Sequence, residues 1–147
     1  MTSDDAIIAR ALEILASRLA QPGIALTDCT TAKNYLTLQL AAEPRELFVA
    51  LWLTTQNTLI AYEVLSLGTL AQAQVYPREV VKSGLRHNAA RVLLAHNHPS
   101  QNPTPSDADI RITRSLSEAL ALVDIHVLDH IIVGGTQTLS LAERGLI

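Results

Sequence analysis

Between Ala95 and Asp109 the chain reads A-H-N-H-P-S-Q-N-P-T-P-S-D-A-D. Two histidines stand two residues apart, and a carboxylate follows eleven residues after the second. Imidazole nitrogen and carboxylate oxygen both suit zinc, and a catalytic zinc site takes three protein ligands plus an open position for water. On a strand, residues i and i+2 point to one face, so His96 and His98 can address a single ion while Asn97 points away. A Pro-rich loop, Pro99 to Pro105, would turn the chain back so that Asp109 joins them from the first turn of the next helix. The same residues have plainer uses. Ser106-Asp107-Ala108-Asp109 fits the S-x-x-D/E helix cap, and two histidines at a strand end can be ordinary polar residues. Cap and ligand are compatible, since Ser106 can cap the helix while Asp109 binds metal.

Hydrolysis at such a site needs a base. Glu63 lies in the apolar run Ala61-Tyr62-Glu63-Val64-Leu65, where an unpaired buried carboxylate is costly. Partly desolvated, it would serve as general base or acid; alternatively, its face of the strand is simply exposed. His130 beside Asp129 invites a catalytic-dyad reading, but a structural role or one supporting the ligands is preferred. His87 sits where a helix C-terminus favours a cation, and His126 has no evident partner. Cys29 has no placed histidine and is not a nucleophile candidate. Arg78 opposes the dipole of a helix start and would pair with an acidic group or meet a substrate.

The elements that must position these residues follow from spacing. Ser3 caps a first helix from Asp4 to about Ala20, with Ile8, Leu12, Leu15 and Leu19 on one side, ended by Gln21-Pro22-Gly23. Thr31 to Ala41 fits strand or helix, and the Thr-Thr cap favours helix. Leu47–Thr54 and Thr58–Leu65 form a hairpin around Thr55-Gln56-Asn57. Pro77 starts a helix to about His87, with Val80, Val81 and Leu85 on its buried side. Arg91 to Ala95 is an interior strand that delivers the histidines. A helix from Ser106 turns Ile110, Thr113, Leu116 and Leu120 inward. Ile125–Val133 is a strand, and Leu139–Leu141 adds a short last one. The class is α/β (α+β), a mixed sheet with helices. Residues 1–27 read as an appended helix and 28–147 as one domain.

Composition narrows the function. The chain has 147 residues, enough for one core without staples, and 11 basic against 14 acidic residues give net −3. No basic patch stands out, so direct nucleic-acid binding is not expected. No apolar run is long enough for a membrane span, and the N-terminus does not read as a signal peptide. The single cysteine fits a reducing cytoplasm. The apolar first helix offers a surface for a homodimer.

H-N-H-P-S followed by P-S-x-x-D resembles the RadC branch of the JAMM/MPN metalloprotease superfamily. The wider pattern is an upstream glutamate, then H-x-H-P, six residues, and S-x-x-D. His96, Asn97, His98, Pro99, Ser106 and Asp109 match it position by position. Gly68-Thr69-Leu70, Tyr76-Pro77-Arg78-Glu79-Val80, Asn88-Ala89-Ala90 and Leu128-Asp129-His130-Ile131-Ile132-Val133 extend the match over roughly residues 30 to 147. Gln101 departs from the family's usual glycine, so the loop is expected to turn differently. Longer RadC proteins carry a helix-hairpin-helix region, for which the roughly 30 preceding residues are too few; no DNA-binding role is carried over.

The resemblance implies a JAB/MPN fold with a cytidine-deaminase-like sheet. It implies one zinc on His96, His98 and Asp109, with Glu63 moving the proton of an attacking water and Ser106 helping to stabilise the oxyanion. The expected activity is a metallopeptidase or isopeptidase acting on a peptide or isopeptide-linked protein. The alternatives are a DNA-repair-associated or protein-interaction module that keeps the metal without turnover, and a metal nuclease suggested only by the letters H-N-H. Retention of the full residue set favours the enzyme.

Overall fold

The computed structural model describes residues 2–21, 30–68 and 75–147. Pro22-Gly23, Cys29 and Thr69-Leu70, which carried expectations above, lie outside the described residues. The described chain runs α1 (Ser3–Leu19), α2 (Thr30–Leu40), β1 (Leu47–Leu53), β2 (Leu59–Leu67), α3 (Pro77–Arg86), β3 (Arg91–Asn97), α4 (Asp107–Ala121), β4 (His126–Gly134) and β5 (Gln137–Ser140). The strands form one mixed sheet in the order β2-β1-β3-β4-β5. Only β3 and β4, joined across α4, run parallel; the other neighbours are antiparallel. This is the expected α/β domain with helices on a mixed sheet.

Strand composition follows position. β1 is the unbroken apolar run L-F-V-A-L-W-L and is buried along its whole length, because it lies between two strands and between two layers of helix. Its odd positions Val49, Leu51 and Leu53 join Leu93, Ala95, Ile131 and Val133 beneath α2. Its even positions Phe48, Ala50 and Trp52 join Val92 and Leu94 beneath α3 and α4. The histidine strand therefore presents its even positions, His96 included, to the α4 side.

Several local expectations are revised. Thr2, not Ser3, caps α1: its hydroxyl accepts from Asp5 N–H while Asp5 bonds back to Thr2 N–H. Ile8 stays exposed, and Leu12, Leu15, Ala16 and Leu19 make the contact. The ambiguous segment is helix α2, burying Ala32, Tyr35, Leu36 and Leu40 at helical spacing. In α3, Leu85 is 55% exposed and Gly84 takes the buried place beside Val80 and Ser83. A methyl group at Gly84 would meet Ile125 Cδ1 at 2.7 Å and the Trp52 ring at 3.1 Å, so close approach selects the smallest residue over the greasiest.

Candidate metal centre

His96 lies near the end of β3 and His98 just beyond it, with His98 N–H still donating to Val133 O at 2.8 Å. Asp109 is in the first turn of α4. The structure brings these three together: one ligand atom from each lies within 4.8 Å of the others. His96 Nε2 is 3.2 Å from Asp109 Oδ1, His98 Nε2 is 3.2 Å from Asp109 Oδ2, and the two Nε2 atoms are 2.9 Å apart. His96 and Asp109 are buried, whereas the His98 side chain is 14% exposed and opens the cluster to solvent.

The cap and the ligand readings of Asp109 hold together. Ser106 Oγ accepts from Asp109 N–H at 3.1 Å, and Asp109 Oδ2 accepts from Ser106 N–H at 2.8 Å. The reciprocal cap thus fixes the carboxylate that faces both imidazoles. The cap uses a lone pair of the exposed Ser106 hydroxyl and leaves its proton to donate elsewhere.

The loop supports His98. His98 Nδ1 is 2.8 Å from Asn102 O, a carbonyl that only accepts, so Nδ1 carries a proton and Nε2 is the atom left for a metal. Gln101 is in the left-handed region at φ 70°, a conformation glycine adopts without strain. Glutamine thus occupies a backbone conformation of the kind that favours glycine. Gly134 seats the loop: a Cβ there would meet Pro103 N at 2.7 Å and Gln101 O at 2.9 Å.

The structure does not bring Glu63 to the cluster. Glu63 Oε1 accepts from Trp52 Nε1–H at 2.8 Å and lies 3.3 Å from His87 Nε2, while Oε2 accepts from Ser83 Oγ at 3.1 Å. These contacts tie β2 to β1 and α3. Glu63 is opposite Ala50, itself opposite Leu94, so it sits two strands from His96 and one row away toward Trp52. The spacing within its own strand could not supply this register.

A different carboxylate stands at the site. The antiparallel ladder pairs Phe48 with His96, so Glu46, two residues earlier, is level with His98 on the same face. Its charge is among those that raise the His98 pKa. Asn97 holds the backbone on both sides of it: Asn97 Oδ1 accepts from Leu47 N–H at 2.7 Å, and Asn97 Nδ2 donates to Arg45 O at 2.9 Å and Glu43 O at 3.2 Å. Sequence reasoning passed over Glu46. The available signal was an acidic residue opening the apolar run that pairs with the histidine strand.

Behind the ligands, His130 Nε2 is 2.6 Å from His96 Nδ1, and His130 Nδ1 is 2.5 Å from Thr113 Oγ1. Asp129 does not touch the His130 ring. Its carboxylate accepts from the N–H groups of His130 and Ala142 and from Ser140 Oγ, which removes the dyad reading.

The electrostatics favour a cation. Burial pushes the Asp109 pKa up, but hydrogen bonds from His96 and His98 outweigh it and hold the carboxyl well below the usual range. The Asp109 hydrogen bond raises His98 against the opposing effect of burial. Burial, with the adjacent His96, drives His130 well below the ordinary histidine value.

A raised His98 pKa stabilises the metal-free fold below the ordinary histidine value, and that contribution is lost as pH rises through the folded value. The depressed Asp109 pKa stabilises above the ordinary carboxylate value and is lost only as pH falls through its folded value. The proton and a metal therefore compete for one place. The rise in melting temperature on adding zinc is expected to grow from about pH 5.5 to about pH 7.5, because uptake must expel the His98 proton. A zinc-induced shift independent of pH would contradict this competition.

Converging imidazole nitrogens and a carboxylate, set on opposite sides of one strand-to-helix loop, give this α/β domain a group that could hold a metal ion. The chain belongs to the RadC-like JAB domain family, which matches residues 26–146. It is 52% identical over 141 residues to UPF0758 protein YeeS of Escherichia coli (strain K12), covering 96% of this chain and 95% of that one. It is 51% identical over 144 residues to UPF0758 protein YkfG of the same organism, covering 98% and 91%. A UPF0758 protein of Cellvibrio japonicus is 58% identical over 123 residues, which are 84% of this chain and 55% of that longer one.

Proposed function

We propose that this chain is a zinc-dependent hydrolase of peptide or isopeptide bonds. The observation that carries the reading is the convergence of His96, His98 and Asp109 with Glu46 level with His98. Neutral imidazoles and a carboxylate are the mixed set that zinc accepts, and zinc held there would act as a Lewis acid and lower the pKa of its water toward neutrality.

The chain's own residues do the rest. The Glu46 carboxylate receives the proton of the attacking water and returns it to the leaving amine, in the role first assigned to Glu63. The Ser106 hydroxyl donates to the carbonyl oxygen as negative charge develops. His98 and Ser106 are the accessible members of the site, so the substrate approaches from their side while His96 and Asp109 stay behind. Glu63 holds α3 against the sheet.

Among the described residues, no helix is long and apolar enough to cross a membrane. A cytoplasmic enzyme acting on a peptide or isopeptide-linked protein, without direct nucleic-acid contact, fits the acidic balance and the lone cysteine. The test is hydrolysis of a peptide and isopeptide panel by the zinc-loaded protein. Cleavage that a chelator abolishes and zinc restores supports the reading. Tight, salt-sensitive DNA binding without cleavage would contradict it and favour the binding module.

A further inference from the structure

We propose that α1 pairs with itself: two copies of the chain dock antiparallel through the stripe Asp4, Ile7, Ala11, Ile14 and Arg18. The inference is independent of the metal reading. α1 packs in the α2 layer, on the other face of the sheet from His96 and the helices α3 and α4, so the pairing leaves the metal cluster open.

The stripe is distinct from the face that joins the core. Leu12, Leu15, Ala16 and Leu19 pack against the α2 cluster, and Leu19 alone in the helix is buried. Ser3 to Ile8 stay exposed, Ile7 at 67%, and Ile14 is exposed two turns further on. A helix in water draws most of its stability from packing an apolar face, and the first half of α1 has no buried residue to supply it.

Spacing makes the stripe a seam. Asp4, Ile7, Ala11, Ile14 and Arg18 follow one another at steps of three, four, three and four. That is the repeat by which two helices interlock. The central residue is a small alanine, which lets two backbones approach, and an isoleucine on either side supplies apolar contact.

Charge selects the partner and its direction. α1 has five charged side chains. Asp5 is held in the N-terminal cap, and Arg10 pairs with Glu13 at 3.1 Å. Asp4 and Arg18, the two ends of the seam, have no side-chain partner among the described residues. Each stands seven residues from Ala11. A two-fold axis through Ala11 therefore sets Asp4 of one copy level with Arg18 of the other, at both ends of the pair. A parallel pair would oppose Asp4 to Asp4 and Arg18 to Arg18, and would align the two helix dipoles. A lipid surface fits less well. Helices that lie on membranes are rich in basic residues, whereas α1 has two arginines against three acidic residues.

Sedimentation equilibrium of the whole chain over about 1–100 μM tests the pairing. A short seam gives a reversible dimer, so the average mass is expected to rise with concentration from one chain toward two. Added salt is expected to weaken it. Ile7→Lys is expected to weaken association about tenfold or more. Asp4→Lys and Arg18→Glu, each alone, set like charges at both ends and are expected to weaken it about 5–30-fold. An equimolar mixture of these two is expected to regain native association, because every end again joins opposite charges; unfolded variants could not do this. A chain that stays monomeric throughout would overturn the proposal, as would a dimer indifferent to Ile7→Lys or a mixture no tighter than its components. A dimer strengthened by salt would overturn the antiparallel arrangement. A monomer that sediments with phosphatidylglycerol vesicles and loses them in Ile7→Lys would overturn it in favour of a lipid surface.

Discussion

Glu46→Gln is expected to bind zinc as the native chain does while hydrolysis falls about 10²–10⁴-fold. Glutamine keeps the size and hydrogen-bonding reach of the side chain but cannot take a proton from water. The ligand set is untouched, because Glu46 acts from the start of β1 and is not among His96, His98 and Asp109. Glu63→Ala is expected to behave in the opposite way. It leaves the buried Trp52 Nε1–H without its acceptor and removes the partner of Ser83 and His87, at a cost of about 1–3 kcal/mol in stability. Its hydrolytic rate should stay within a few-fold of native. Parallel rate and urea-melt measurements on the two variants separate the roles. A rate lost in Glu63→Ala and kept in Glu46→Gln would reverse the assignment.

Asp129→Ala is expected to be among the most damaging substitutions to stability. The carboxylate is 7% exposed and accepts from His130 N–H at 2.7 Å, Ala142 N–H at 2.9 Å and Ser140 Oγ at 2.5 Å. It ties the middle of β4 to β5 and to the turn after it. Truncation strands these donors in a region that water reaches poorly, at about 3 kcal/mol in all. For a domain of this size that lowers the melting temperature by roughly 6–12 °C. Asp129→Asn keeps an acceptor oxygen and should cost less. A loss below about 1 kcal/mol in Asp129→Ala would mean that the network contributes little.

What could be read from the sequence follows the range of the interactions. The H-x-H pair and the Asp109 cap lie within one short loop, so strand parity and capping chemistry were enough to gather the three ligands. The two long strands of the hairpin and the helix after the Pro-rich loop were legible for the same reason. The base was not. Glu46 precedes the first strand of the hairpin and Glu63 lies within the second, and both lie on the face that carries His96; choosing between them needs the β1–β3 register, a long-range pairing without a local signal. Glu63 drew attention as a charge in an apolar strand, and its burial is explained by Trp52, Ser83 and His87 instead of by chemistry. Likewise, Leu85 lost its inward place because Gly84 alone permits the approach of α3 to Trp52. Gln101 shows the converse: its backbone is left-handed, a conformation that glutamine by itself would not suggest.

The central claim is that His96, His98 and Asp109 hold one zinc ion. Metal analysis of protein purified without chelators, with His98→Ala prepared beside it, tests this most directly. The expected result is about one zinc per native chain and loss of the metal in His98→Ala, as the three-ligand site requires. A native chain free of zinc after zinc supplementation, or His98→Ala retaining a full equivalent, would contradict the account.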